Sequence, residues 1–394
     1  MISVEAALAE LFALCAPLPA ETLPLRQAAG RVLAEAVRAG RDQPPFDASA
    51  MDGYAIREAD HNAGQKLTVV GEAAAGHGFS GQLKPGEAVR IFTGAPVPAG
   101  ADRVVLQEDV ARAGEVITLG TRLEPGSNVR ARGQDFRLGA EIAAPRLLTP
   151  TDVALVAAMN IAEVRVARRP VVALIATGDE LVMPGNEPSP DQIVASNAFA
   201  LAAMAEAAGA EVRLLPIAQD RVGALRFAFD MAADVDLIVT IGGASVGDHD
   251  LVAEAADGAG MKRAFYKVAM RPGKPLMAGK VGDSVLLGLP GNPVSSIVCG
   301  HIFMLPMLRA MQGLPPTPAA ARVAELGAPV RANGARAHYM RARLETVDGV
   351  ARIYPFDRQD SALLSVLAEA NALLIRPVND PAQTIGAAVR YIPL

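Results

Sequence analysis

The sequence has no tryptophan, few aromatic residues and only two cysteines. Aromatic side chains make up 4% of its 394 residues while 51% of the residues are hydrophobic, so alanine and aliphatic side chains must fill most of the interior. Cys15 and Cys299 form no CxxC pair. Neither a disulfide framework nor a cysteine-based zinc site is therefore indicated, and a cytoplasmic location is expected.

The sequence also lacks an excess of basic charge and any long uncharged apolar run. Lys and Arg number 37 against 42 Asp and Glu, a formal net charge of −5, which argues against general nucleic-acid binding but not against a small anion held by a local basic cluster. The N-terminal stretch MISVEAALAELFALCAPL is interrupted by Glu5 and Glu10 and predicts an amphipathic helix rather than a secretion signal. No uncharged apolar run approaches the ~18 residues that span a bilayer, so a soluble protein without a membrane partner is expected.

The chain is long enough for two to four domains. Strand-like runs alternate with helical ones over about 140 residues in its second half, which is typical of a doubly wound parallel sheet, and Thr149 or Thr151 is a candidate cap for the helix that precedes this region. We expect a multidomain α/β protein. Its predicted parts are a helical unit formed by 1–40 with 141–168, an inserted β-rich domain over 41–140, an α/β domain over 169–315 and a small C-terminal β-barrel-like domain over 319–394.

The strands of the predicted parallel sheet end in glycine, in acid, or in both. The carboxyl ends of parallel strands share one edge of the sheet, where open α/β sheets bind their ligands. We therefore predict one ligand site at this edge, although a Gly-rich surface loop with an ordinary cap would explain any single strand end. The residues concerned are Thr177, Gly178, Asp179 and Glu180; Asp220; Gly242, Gly243, Ser245, Asp248 and Asp250; and Pro290, Gly291, Asn292 and Pro293.

The glycines and the carboxylates at these strand ends suit two different parts of one ligand. Glycines let backbone N–H groups approach a phosphate, and carboxylates bind the same phosphate through Mg²⁺, which prefers oxygen ligands and is usually shared with substrate. Asn292 is a candidate cap of a helix that begins at Pro293, with Ser295 and Ser296 in its first turn as a further anion site. Helix capping alone would account equally well for that motif.

A basic cluster and a second group of polar residues complete the pattern. Lys267, Arg271 and Lys274 lie within eight positions around a Pro-Gly turn, which suits an oxyanion but is also common in solvated turns. Loops of the β-rich segment carry Asp52, Thr93 and Asp135, and such loops are often only the ends of hairpins. The residues by themselves do not show whether these loops reach the edge of the sheet.

Seven motifs, in their order along the chain, resemble molybdopterin molybdenumtransferases, the enzymes of molybdenum cofactor biosynthesis that also form the C-terminal module of gephyrin. The resemblance covers almost the whole chain. It implies that the α/β domain binds molybdopterin and that molybdenum from molybdate enters adenylylated molybdopterin, with Mg²⁺-dependent release of AMP. The motifs are PPFDASAMDGYA, IFTGAPVP, GQDF, TGDEL, GGASVGDHD, MRPGKP and LPGNPVSS.

The resemblance also assigns roles to individual residues. Arg271 stands where some members of the family have lysine, and QDSALLSVLAEAN leaves open whether Ser361 or Ser365 is the functional serine. The implied metal ligands are Asp220 and Asp250. The catalytic set is Asp52, Thr93, Glu180, Asp220, Asp250, Lys267 and Lys274. The substrate-binding set combines residues of the strand ends with others that the family implies. It is Asp135, Gly242, Gly243, Ser245, Asp248, Arg271, Pro290, Gly291, Asn292, Pro293, Ser295, Ser296 and Ser361.

The family further implies a homodimer in which Asp52 and Thr93 serve the site of the other subunit. The implied partners are the molybdopterin adenylyltransferase and the recipient molybdoenzymes. Two alternatives remain: an adenylyltransferase or nucleotide pyrophosphatase of the same α/β superfamily, and a scaffold without catalysis. AMDGYA and FTGAP argue against the first, and the acidic residues at Asp52, Glu180 and Asp250 argue against the second.

Overall fold

The computed structural model describes residues 1–243 and 251–394, in which the chain forms two compact units. The first unit comprises Met1–Glu21 and Val166–Leu394, and the second comprises Thr22–Arg165. The α-helices of the described residues are Val4–Leu14, Pro150–Ala158, Asn197–Ala207, Val222–Met231, Leu251–Gly258, Pro293–Cys299, Leu305–Met311 and Leu364–Glu369.

The helical character predicted for 1–40 is present only in Val4–Leu14. The prolines at positions 17, 19 and 24 follow this helix, and proline removes the N–H that a helix needs. The segments after it are therefore short strands and one 3₁₀ turn, and 141–168 likewise contains one helix among strands. The division into four domains stays a prediction.

The unit Thr22–Arg165 is rich in β-structure, as the sequence predicts. Its largest sheet has six strands, in the order Arg103–Leu106, Gly53–Ile56, Glu87–Ile91, Lys66–Ala73, Val116–Leu119 and Val110–Ala113. Apolar side chains pack on both faces of this sheet. The remaining strands of 20–167 are Ala20–Pro24, Val32–Leu33, Val37–Arg38, Ala48–Ser49, Val129–Arg130, Glu141–Ile142, Arg146–Leu147 and Glu163–Ala167.

Of the two candidate caps for helix Pro150–Ala158, Thr149 is the one used. Its hydroxyl accepts the N–H of Asp152 at 3.1 Å, and the Asp152 carboxylate accepts the Thr149 N–H at 2.9 Å. Pro150 occupies the first helical position, where a missing N–H costs nothing. These bonds with Thr149, the largest contribution, and the neighbouring Arg146 keep the pKa of Asp152 below its usual value.

The α/β part of the first unit contains a six-stranded sheet. Its order is Glu211–Leu214, Val171–Ala176, Leu237–Ile241, Ser284–Leu289, Met277–Val281 and Lys262–Tyr266. The first four strands are parallel. Val171–Ala176, Leu237–Ile241 and Ser284–Leu289 are almost wholly buried because helices cover the sheet, whereas no residue of the edge strand Glu211–Leu214 is buried.

The prediction of a purely parallel sheet is wrong at one edge. Met277–Val281, which the sequence patterns did not identify as a strand, pairs antiparallel with both of its neighbours. A tight turn at Gly282 connects it directly to Ser284–Leu289, and a connection this short permits only antiparallel pairing. Lys262–Tyr266 consequently runs in the direction of the four parallel strands, so that the chain leaves it at the same edge of the sheet.

A continuous helical stretch, Pro293–Met311, crosses the core of the first unit through a π-helical segment at Gly300–Met304. By length and composition this is the one helix of the described residues that could span a bilayer, although the sequence analysis found no such run. Its apolar side chains face protein instead, since 83% of the apolar window is buried inside the fold. It is therefore the central core helix of this unit.

The C-terminal region forms a closed barrel of five strands. Ala337–Val347 pairs with both Val350–Pro355 and Ala372–Arg376, and Arg322–Leu326 and Ala388–Pro393 complete the circle. The short strand Met270–Arg271, which follows Lys262–Tyr266 in the chain, pairs with the barrel strand Ala337–Val347. This confirms the expected multidomain α/β fold with a small C-terminal barrel.

Candidate active site

A cavity of about 670 Å³ lies at the carboxyl edge of the parallel strands. Residues from all four predicted strand ends line it, which agrees with the geometric expectation from the sequence. These are Thr177 and Glu180; Asp220; Gly242 and Gly243; and Pro290, Gly291, Asn292 and Pro293. Its volume falls within the usual range for small-molecule sites.

The Glu180 carboxylate lies folded back against the backbone of Gly178. A Cβ atom on Gly178 would lie 2.7 Å from Oε1 of Glu180 and closer still to Oε2. Gly178 also has φ +145°, in a region that favours glycine. The glycine of the TGDEL motif thus makes room for its glutamate and turns the chain out of the strand. The Ile193 N–H donates to the Glu180 carbonyl at 2.7 Å, which joins this turn to the strand Ile193–Val194.

The carboxyl of Asp220, which lines this edge, has a pKa above the usual aspartate value. Partial burial raises its pKa, and the charges of Glu180 and Asp179 raise it further. A hydrogen bond from the Asp179 backbone opposes the shift. The Asp179 carboxylate also accepts the backbone N–H of Asp220 at 3.2 Å. The ionised form of Asp220 is therefore disfavoured in the free protein, and a cation at this edge would relieve that cost.

The two glycines after Leu237–Ile241 differ in their hydrogen bonding. The Gly242 N–H donates to the Leu289 carbonyl at 3.1 Å and so continues the sheet. Within the described ranges 1–243 and 251–394, the Gly243 N–H has no partner. Only Gly243 therefore has an amide ready for a ligand anion, whereas the sequence analysis treated the two glycines alike.

The LPGNP segment is held from two sides. Asn197, at the start of its helix, donates its side-chain amide to the Gly291 carbonyl at 2.6 Å. The Asn292 amide donates to the Ser361 hydroxyl at 3.2 Å, and the Val294 N–H donates to the Ser361 carbonyl at 3.1 Å. The expected cap by the Asn292 side chain is therefore wrong: Asn292 occupies the cap position, but its side chain bonds to Ser361 and not to the helix.

Ser295 and Ser296 do not line the cavity. Both are buried, at 4% and 0% exposure, and the Ser296 hydroxyl donates to the Pro293 carbonyl at 3.0 Å. The helix they belong to is packed on all sides, so their hydroxyls face the core and the preceding turn rather than a ligand. Sequence position alone could not distinguish these two surroundings.

Lys267, Arg271 and Lys274 share one compact turn. The Val268 N–H donates to the Lys274 carbonyl at 3.1 Å, and Lys267 adopts φ +75° with its Nζ 4.9 Å from the centre of the Tyr266 ring. None of the three cations is among the residues that line the cavity, but Pro275 is.

Positive charge nevertheless gathers near this turn. Burial, and after it the charges of Arg271 and Arg341, lower the pKa of His338 to about 4. His338 lies on the barrel strand that pairs with Met270–Arg271. Arg341 is itself 1% exposed, and its guanidinium donates to the Leu363 carbonyl at 3.2 Å, in the loop that carries Ser361.

In the other unit, Asp52 and Thr93 form a close pair. The Thr93 N–H and hydroxyl donate to the same Asp52 oxygen at 2.8 and 2.7 Å. These two bonds, with a smaller contribution from Arg90, keep the pKa of Asp52 below its usual value. The motifs AMDGYA and FTGAP thus present one oriented, ionised carboxylate. Asp135 is exposed in the same unit, and its N–H donates to the Gln43 carbonyl at 2.9 Å.

Three predicted residues, Ser245, Asp248 and Asp250, lie outside the described residues. Glu180 and Asp220 supply oxygen ligands of the kind that Mg²⁺ prefers, and burial, followed by the charges of Glu180 and Asp179, raises the pKa of Asp220. The residues present therefore fit part of a magnesium site. No cluster of three or more His, Cys, Asp or Glu side chains suited to a metal occurs among the described residues.

Several lining residues were missed from the sequence. Asn197 has a polar side chain, while Leu181, Ile193, Val194 and Pro275 form an apolar part of the wall. Ile193 and Val194 form a two-residue strand within a polar loop, too short for periodicity to reveal.

Three family descriptions match consecutive parts of the chain. Residues 2–160 match the MoeA N-terminal region (domain I and II), 173–310 match a probable molybdopterin binding domain, and 323–394 match the MoeA C-terminal region (domain IV). The three matches follow one another along the chain without overlap.

Relatives and solved structures agree with this family. The chain is 37% identical to a molybdopterin molybdenumtransferase of Nostoc sp., over 95% of this chain and 88% of that protein. It is 36% identical to molybdopterin molybdenumtransferase 2 of Mycobacterium tuberculosis, over 94% and 93%. The structure of the molybdopterin biosynthesis MoeA protein from Pyrococcus horikoshii OT3 superposes with a TM-score of 0.86 at 28% identity and covers all of both chains.

The chain belongs to the molybdopterin molybdenumtransferase family. The family expected from the seven motifs is thereby confirmed, and so is its enzyme class, a transferase of molybdenum cofactor biosynthesis.

Proposed function

We propose that this protein inserts molybdenum from molybdate into adenylylated molybdopterin, with Mg²⁺-dependent release of AMP. The observation that carries the proposal is that Glu180, Asp220, Gly243 and the LPGNP segment all line the same cavity. An acidic side and a side rich in backbone donors suit a phosphoanhydride bound together with a cation.

The substrate would be held by groups of different chemistry. The Gly243 N–H, which has no partner among the described residues, supplies a donor for a phosphate oxygen, and Asn292 lines the same cavity. Leu181, Ile193 and Val194 supply an apolar surface for a flat heterocycle. This surface is connected to the acidic side, because Ile193 and the Glu180 turn share a backbone hydrogen bond.

Asp220 and Glu180 would hold Mg²⁺ on this edge, with Asp250 as the further ligand that the sequence predicts. The ion would neutralise charge on the phosphoanhydride and on the departing AMP. The residues of the chain would orient the substrate, with the glycine-rich side holding its phosphate.

Molybdate is a tetrahedral dianion and needs donors. Arg271, Lys274 and Arg341 are the proposed donors, since positive charge gathers around His338 near their turn. Arginine at position 271 would present a planar fork to two molybdate oxygens where a lysine presents a single point charge.

We further propose a cytoplasmic homodimer in which Asp52 and Thr93 complete the site of the other subunit. The Thr93 N–H and hydroxyl orient the Asp52 carboxylate, and these bonds keep it ionised, as a residue that contacts substrate requires. The adenylyltransferase that makes the substrate and the molybdoenzymes that take the product are the proposed partners.

Release of AMP tests the proposed function. Purified protein mixed with adenylylated molybdopterin, molybdate and Mg²⁺ should release AMP and yield cofactor that activates an apo-molybdoenzyme. Omission of Mg²⁺ should abolish the release, and omission of molybdate should leave no active cofactor. AMP release that is independent of both additions would instead indicate a nucleotide pyrophosphatase, and no release at all would indicate a scaffold.

Replacing Ser361 by alanine should lower this activity by about tenfold, because one hydrogen bond that orients Asn292 is lost. Ser365, exposed in helix Leu364–Glu369, is the matched control and should tolerate alanine. Initial rates of AMP release on both variants decide which serine is functional. Equal rates for the two variants would contradict the assignment of Ser361.

A further inference from the structure

Among the residues that the structure describes, two buried hydroxyl groups have no hydrogen-bond partner, those of Thr177 and Thr240. Thr177 is 3% exposed and Thr240 is 0% exposed. Buried hydroxyls almost always find a partner, because an unpaired one loses its bond to water without replacement. Thr177 lines the cavity, whereas Thr240 lies inside the neighbouring strand and does not.

The backbone of Thr177 is held firmly at the end of its strand. Its N–H donates to the Ile241 carbonyl at 3.0 Å, and it bridges to Ala218 on the other side. The side chain is β-branched, so few rotamers are open to it. Its hydroxyl therefore cannot reach a distant partner, and any partner must come to it.

The groups nearest to that hydroxyl belong to Gly242 and Gly243. A Cβ atom on Gly242 would lie 2.9 Å from Thr177 Oγ1, and one on Gly243 would lie 3.1 Å from it. Both glycines have positive φ, +101° and +66°, and carry no side chain that would resist a rotation of the peptide between them. Thr177 Oγ1 thus lies close to the peptide that joins the two glycines.

This peptide has two ends that point in opposite directions. One end is the Gly242 carbonyl, and the other is the Gly243 N–H, which has no partner in the part of the chain that the structure describes. When the N–H turns toward an anion in the cavity, the carbonyl turns away from the cavity. The Thr177 hydroxyl is an unpaired buried donor close to both glycines.

We propose that Thr177 is a positioning residue whose hydroxyl donates to the Gly242 carbonyl only when a ligand anion occupies the Gly243 N–H. Binding of the anion then satisfies two otherwise unpaired groups with one small rotation. The proposal rests on the proposed function, because the anion is the phosphate of an adenylylated substrate.

Three variants test this: Thr177→Val, Thr177→Ser and the matched control Thr240→Val. Valine keeps the shape of threonine and removes the hydroxyl, while serine keeps the hydroxyl. The measurements are the Kd for AMP in the presence of Mg²⁺, by calorimetry, and the Tm of each protein without ligand.

Thr177→Val should weaken AMP binding by about five- to twentyfold, the effect of one lost hydrogen bond. Its Tm without ligand should equal or exceed that of the wild type, because the free protein loses only an unpaired group. Thr177→Ser should bind within about twofold of the wild type. Thr240→Val should leave the Kd unchanged with an equal or higher Tm.

Other outcomes overturn the proposal. If Thr177→Val binds AMP like the wild type, the hydroxyl has no role in binding. If Thr177→Val lowers the Tm, or if Thr240→Val weakens binding equally, the hydroxyl acts on the sheet and not on the site. A wild-type protein that binds no AMP contradicts the nucleotide part of the proposed function, and this proposal with it.

Discussion

Asparagine in place of Asp220 is expected to lower Mg²⁺-dependent AMP release by at least ~100-fold, because a metal-binding carboxylate is lost from the reacting centre. The free protein should be at least as stable as the wild type. Burial and the charges of Glu180 and Asp179 make ionised Asp220 unfavourable, and asparagine removes that charge. Rates of AMP release and the Tm of the free protein measure both effects.

Asp191→Asn is the matched control for this variant. Asp191 is exposed in the loop before Ile193, does not line the cavity, and its replacement changes the net charge equally. It should retain wild-type rates. If Asp220→Asn also retains them, Asp220 has no role in metal binding or catalysis.

The stability effect at Asp220 has a definite dependence on pH. Its pKa is raised in the folded protein, so the folded state binds the proton more tightly than the unfolded chain. Ionisation of Asp220 therefore lowers the free energy of unfolding. This loss is absent below the ordinary aspartate pKa and is complete above the raised pKa. The Tm advantage of Asp220→Asn over the wild type should therefore appear as pH rises through this interval, and Mg²⁺ should reduce it by stabilising the wild type.

We expect about half of the wild-type activity from a mixed dimer in which one subunit carries Asp52→Asn and the other carries Asp220→Asn, although each variant alone is inactive. If each site takes Asp52 from one subunit and Asp220 from the other, one site of the mixed dimer carries both changes and its second site carries neither. Two different affinity tags allow the mixed dimer to be purified and its AMP release measured. Asparagine at position 52 can still accept the two bonds from Thr93, so the unit should fold.

The control for this experiment is a mixed dimer of Asp220→Asn with wild type, which should also retain about half of the activity. An inactive Asp52→Asn/Asp220→Asn dimer would place both residues in the site of one subunit. Full activity in a monomeric preparation would overturn the shared site altogether.

The strand ends were predictable because one rule governs them all. Parallel strands bring their carboxyl ends together, so Glu180, Asp220, Gly243 and Asn292 could be grouped while they were still far apart in sequence. The pairing of Met277–Val281 was not predictable in this way, since a strand of five residues gives little periodicity.

Side-chain partners were less accessible to sequence analysis than positions in the fold. Asn292 occupies the expected cap position, yet its amide bonds to Ser361, 69 residues away. Ser296 follows the same loop but turns its hydroxyl into the helix. Such choices depend on what surrounds a side chain in three dimensions, which the local pattern does not contain. Whether Asp52 and Thr93 serve the cavity of another subunit stays a prediction for the same reason.

The helix Val4–Leu14 has a consequence for how the chain is made. Its apolar face, with Leu8 and Leu11, packs in the same core as Met307, and the Leu18 N–H donates to the Met311 carbonyl. At ~5–20 residues per second, the ribosome needs roughly 15–60 s to add the intervening 300 or so residues. The segment Thr22–Arg165 can meanwhile fold as a continuous stretch of chain. The first helix to be translated is thus among the last to pack into the core, and until then its apolar face is accessible to chaperones.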